Sequence, residues 1–130
     1  MKQLLFRISL SLLLVSGLTI FASAQAVATP GNATISSDMV IQIDPAAPLM
    51  ETYTFSIAGI SFDNEEAATR FFSMSRDNIL NYTLDFTKKT VTVKLGLQCT
   101  EPRGWGVTEY NAYFATLAER YRTTLAIVNE

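Results

Sequence analysis

The chain contains no histidine and a single cysteine, Cys99, among its 130 residues. The first absence removes the commonest acid–base side chain near neutral pH, the commonest neutral metal ligand and every Ser–His or Cys–His nucleophilic pair. The second excludes an internal disulfide and any CxxC redox or metal motif. Positive charge is also scarce, with 10 Lys plus Arg against 12 Asp plus Glu. A nucleic-acid binder, whose affinity rests on neutralising phosphates, is therefore not expected. No catalytic residue and no cofactor are assigned. What remains is 48% apolar and 17% charged, a composition for one small folded domain.

Long apolar runs are limited to the N-terminus. Lys2 and Arg7 precede an almost unbroken apolar stretch from Ile8 to Phe21, and Ala22-Ser23-Ala24 offers the small residues of a signal-peptidase site. The stretch is shorter than the ~20 residues that span a bilayer. Residues 1–24 read as a signal peptide cut after Ala24, giving a periplasmic or secreted protein with no membrane insertion after cleavage. The 8 basic residues left against 12 acidic ones give a net charge of −4.

Residues 25–48 are rich in Ala, Thr, Ser and Pro and read as an extended leader, with Met39–Ile43 as a candidate extra edge strand. The domain proper is assigned to 49–130. Tyr53, Phe55 and Ile57 alternate with Thr52, Thr54 and Ser56, the period of a strand with one buried face. Asp63 followed by Glu66 has the form of a capping box, and Ala68, Phe71, Phe72 and Ser75 form a helical stripe. Tyr82, Leu84 and Phe86, then Val91, Val93 and Leu95, alternate on either side of Thr87-Lys88-Lys89, which predicts a hairpin. Gln98–Gly106 reads as a loop. Tyr110, Tyr113, Phe114, Leu117 and Tyr121 predict a second amphipathic helix, with Arg120 and Arg122 in its last turn near the negative end of the helix dipole. Thr124–Val128, β-branched and apolar, predicts a closing strand. The order βαββαβ predicts an α+β, ferredoxin-like sandwich: a four-stranded antiparallel sheet with two helices on one face.

Gly59-Ile60-Ser61-Phe62-Asp63-Asn64-Glu65, the following helix, Asn78–Phe86 and Lys89-Thr90-Val91-Thr92-Val93 together resemble the heavy-metal-associated domain of metal-transport ATPases and copper chaperones. That family has G-M-x-C-x-x-C before its first helix and K-T-V-T-V in its hairpin. Here Phe62 and Glu65 stand at the positions of the two metal-binding cysteines. An aromatic ring cannot replace a thiolate, so the metal function the resemblance implies is not carried over. Asp63, Glu65 and Glu66 lack the order of a calcium loop and are expected to serve the helix dipole. Cys99 is expected to be buried or inert, with an intermolecular or mixed disulfide as the first alternative and a ligand or nucleophile as the second. Arg103 and Trp105 are residue types that anchor interfaces, though a loop Trp equally closes a core.

The reading that follows is a non-catalytic exported module for protein interaction or sensing, monomeric or weakly oligomeric, with an unknown protein partner. Its sheet face away from the helices would carry Thr52, Thr54, Thr83, Thr90, Thr92 and Lys94. The alternative is a metal-handling protein using Cys99 or the acidic loop 63–66.

Overall fold

The computed structural model describes residues 29–130; the signal peptide read at 1–24 lies outside the described residues. Five strands and three helices follow in the order β1 (Gly31–Ile35), β2 (Ile41–Ile43), β3 (Thr52–Ser56), α1 (Glu65–Met74), β4 (Leu80–Asp85), β5 (Thr90–Leu95), α2 (Leu97–Thr100) and α3 (Val107–Val128). The strands form one mixed sheet in the order β2-β1-β3-β5-β4.

Alternation builds this sheet as the sequence pattern requires. Tyr53 and Phe55 of β3, Leu80 and Tyr82 of β4, and Val91, Val93 and Leu95 of β5 are buried on one face. The antiparallel registers Tyr53↔Val93 and Tyr82↔Val93 bring them together. Helices α1 and α3 cover this face and contact each other. Phe71 and Phe72 of α1 enter an aromatic cluster with Phe55, Tyr82 and Tyr121. The side chain of Asn64, one residue after the Asp63 expected from sequence, caps α1 by accepting from the Ala67 N–H at 2.8 Å.

The four-stranded antiparallel ferredoxin-like sheet predicted from sequence is not what the chain forms. The segment β3-α1-β4-β5 keeps the expected split order, with β5 lying between β3 and β4. The strand next to β3 on the other side comes instead from the leader: β1 runs parallel to β3, with Gly31↔Tyr53 and Asn32↔Thr54 in register. Strand β2 completes a hairpin with β1 and forms the edge. Gly31 makes this approach possible, because a Cβ there would lie 2.6 Å from the Tyr53 ring.

With that place filled, Thr124–Val128 has no vacant sheet edge beside β3 and continues α3 instead. Thr124 and Val128 extend the stripe of Tyr110, Phe114, Leu117 and Tyr121, all buried. The β-branched threonines fit the helix because Thr123 and Thr124 donate to the carbonyls of Glu119 and Arg120 at 3.1 and 2.9 Å. Arg120 and Arg122 are consequently not in the last turn. They reach across to the carbonyls of Met74 and Asp38. The predicted loop at Gln98–Gly106 is also more ordered than expected, holding part of α2 and a 3-10 turn at Glu101–Arg103 that ends on Gly104 at φ 69°.

The leader hairpin is fastened to α3 at several points. The side-chain amide of Asn111 bonds both the N–H and the C=O of Ile43, and Arg122 holds the Asp38 carbonyl at 2.9 Å. Met39, Ile41 and Ile43 insert into the core, with Met39 held at φ 64° in the hairpin turn. That left-handed conformation carries a cost for a residue with a Cβ. Burial of the methionine side chain offsets it.

Candidate functional site

Three places bear on function: the loop that precedes α1, the turn around Cys99, and the sheet face opposite the helices. Because β3 and β5 are antiparallel, with Ser56↔Thr90 at one end and Thr52↔Lys94 at the other, the first two lie at opposite ends of the sheet. Cys99 and the Phe62 loop therefore cannot share a ligand.

In the first loop the two positions that match the family's cysteines diverge. Phe62 turns towards the core, with its ring 5.4 Å from that of Phe71 and 5.9 Å from that of Phe72. Glu65 is exposed and lies beside β4. The loop itself is tied to the end of α3, where Asn129 accepts from the Asp63 N–H at 3.0 Å and donates to the Ser61 carbonyl at 2.7 Å. Phe62 thus fills space with hydrocarbon where the resemblance would place a thiolate. Among the described residues, no group of three or more His, Cys, Asp or Glu side chains could hold a metal ion.

At the other end Cys99 is exposed, in contrast to its expected burial. It lies in α2, whose buried residue is Thr100. The Thr100 hydroxyl pairs with the Tyr110 hydroxyl at 2.6 Å, so the turn is anchored one residue beyond the cysteine. Arg103 is exposed on the 3-10 turn. Trp105 folds back on α3, 5.3 Å from the Tyr110 ring and 5.5 Å from the Tyr113 ring, and is half-buried. The core-closing role weighed for Trp105 is therefore occupied, while its outer edge stays open beside Ala112 and Thr116. The N-terminus of α3 is capped by Glu109, whose carboxylate accepts from the Gly106 N–H at 2.8 Å. That bond holds the Glu109 carboxyl below its ordinary pKa.

A polar cleft of about 230 Å³ beside the end of β4 contains two carboxylates, and both are engaged in structure. Glu51 faces Lys94 at 3.6 Å. Asp77 accepts from the N–H groups of Ile79 and Leu80 with one oxygen and from the Tyr113 hydroxyl with the other, at 2.6–2.7 Å. Burial and the Asp77 carboxylate push Tyr113 up to about 12. Deeper in the core the Tyr82 and Tyr121 hydroxyls bond each other at 2.7 Å. Burial, with the neighbouring tyrosine, raises Tyr82 well above its ordinary value, and burial raises Tyr121 to about 12.

The sheet face opposite the helices is built from the polar half of each strand. Register places Asn32, Thr54, Thr92 and Thr83 in one row across β1, β3, β5 and β4. Thr52, Lys94 and Asn81 form the row on one side, and Ser56, Thr90 and Asp85 the row on the other. None of these side chains is buried. Thr54 and Thr92 lie with hydroxyl oxygens 3.3 Å apart, holding the centre of the face in a fixed arrangement. The six residues expected there from sequence share this face. Asn32 and Thr34 join them from β1, a strand that sequence reasoning missed.

Comparison with protein-family models, with curated proteins and with solved structures found no match for the chain. No helix of the described residues is long and apolar enough to cross a membrane.

Proposed function

We propose that this protein is a non-catalytic interaction module whose docking surface is the open face of its sheet, with a protein as partner. The observation that carries the reading is the polar row Asn32-Thr54-Thr92-Thr83, which continues across four strands without a buried side chain. Short hydroxyl side chains on rigid strands lose little entropy on contact and offer both donors and acceptors. The mixed polar character suits a transient contact better than a permanent apolar one. The likeness of Gly59–Glu65 and Lys89–Val93 to heavy-metal-associated domains is compatible with this reading, with Phe62 and Glu65 in place of the thiolates.

A photo-cross-linking amino acid placed at Thr92 or Thr90 of the interior strand β5, and separately at Glu119 on the exposed side of α3, tests the proposal in the cells that produce the protein. The expected result is a discrete adduct with another protein from the sheet positions and none from Glu119. Adducts from Glu119 alone, or none from either sheet position, would overturn it.

A further inference from the structure

The outer edge of β4 and the side of α1 above it form a groove of about 290 Å³. We propose that this groove is the contact surface for a second copy of the same chain, joined β4 to β4 in antiparallel fashion across a two-fold axis. This inference does not depend on the role given to the open face.

Strand β4 ends the sheet, and its backbone polarity is set by its pairing with β5. The Ile79 carbonyl accepts from the Gly96 N–H, whereas the N–H and C=O of Leu80 turn the other way and are both bonded to Asp77. Alternation then directs the N–H and C=O of Tyr82 and Leu84 outward, where no described strand pairs with them. The opposite edge of the sheet differs, because Asn111 already occupies the outward backbone groups of Ile43. An edge with free backbone groups is a template for another strand.

The pairing register follows from which groups are free. Leu80 is occupied by Asp77 and the Phe86 carbonyl by the Lys89 N–H, so Tyr82 faces the partner's Leu84, and Leu84 the partner's Tyr82, with the two-fold axis at Thr83. Reciprocal N–H···O=C bonds then form at both pairs. On the open face this register sets Asn81 against the partner's Asp85 and avoids placing two aspartates together.

Helix α1 supplies the choice of partner. The stripe beside β4 has Glu65 at its first turn, Thr69 and Ser73 in its middle, and Arg76 just beyond its last turn. Because α1 crosses back between β3 and β4, two copies related by this axis lay their α1 helices antiparallel. Glu65 then faces the partner's Arg76 at both ends, and the short Thr69 and Ser73 side chains let the helices approach. A surface with opposite charges at its two ends and small residues between them is complementary to itself after a half-turn.

Sedimentation equilibrium of the purified protein in reducing buffer, which prevents a Cys99 disulfide, tests this together with Glu65→Arg, Arg76→Glu and the double variant. The wild type should self-associate weakly, with Kd on the order of 100 μM. Each single reversal turns both symmetry-related contacts repulsive and should weaken association by about tenfold or more. The double variant restores opposite charges and should recover the wild-type affinity, and circular dichroism of each single variant checks that it folds. A monomer at every concentration up to about 1 mM, a dimer indifferent to the single reversals, or a double variant no better than the singles would each overturn the proposal.

Discussion

The side-chain amide of Asn111 completes the edge strand at Ile43, accepting from its N–H at 2.8 Å and donating to its C=O at 3.0 Å. One residue of α3 thereby does for β2 what a sixth strand would do. Asn111→Ala leaves a half-buried donor and acceptor without protein partners and should cost about 1–3 kcal/mol. Urea unfolding checks the loss. Hydrogen exchange at the Ile43 amide should accelerate in the same variant, and unchanged exchange would separate the edge from the helix.

The Tyr82 and Tyr121 hydroxyls satisfy each other in the core. Tyr121→Phe alone strands the buried Tyr82 hydroxyl, for an expected loss of about 1–3 kcal/mol. Changing both to Phe removes donor and acceptor together and should be closer to neutral. A double-mutant cycle by denaturant unfolding reads the difference, and strictly additive effects would contradict the bond.

Stability should fall in alkali. Tyr82, Tyr113 and Tyr121 are all raised above the ordinary tyrosine value of 10.0, the last two to about 12. A raised folded-state value means that the unfolded chain loses its protons first. Their contribution is complete below pH 10 and is lost as pH climbs from about 10 through about 12. Tyrosinate absorbance and circular dichroism should change together in that interval. Ionisation of these tyrosines near pH 10 with the fold intact would contradict the burial.

Cys99 should react as a surface thiol. Its exposure predicts complete labelling of the native protein by a maleimide without denaturant. Labelling limited by the rate of global unfolding would show that α2 covers it.

Much of this architecture is legible in the sequence, and its failures have specific causes. Strands β3, β4 and β5 declare themselves through strict alternation, and α1 through the Ala68, Phe71 and Phe72 stripe. The open face follows from the same alternation, because residues between buried ones must point away from the core. Strand β1 is silent: of its inward positions Gly31 and Ala33 offer no bulky apolar side chain and only Ile35 does, and its pairing depends on a ring packed against Gly31. The tail from Thr124 to Val128 misleads in the opposite direction, since its β-branched composition favours a strand while its stripe keeps helical spacing. A local choice was decided by a distant fact, the occupation of the neighbouring sheet position by β1. The exposure of Cys99 was hidden for a related reason, because the apparent loop folds into α2 and Thr100 takes the inward position.

The fastening of β2 to α3 gives the chain an order of assembly. Asn111 reaches back 68 positions to Ile43, and Arg122 reaches back 84 to Asp38. Contacts of that span close only after the intervening chain is available, and closing them is slow relative to local helix formation. A nascent polypeptide that has not yet released α3 from the ribosome cannot secure its leader hairpin. Until then the hairpin of β1 and β2 lacks both of these fastenings.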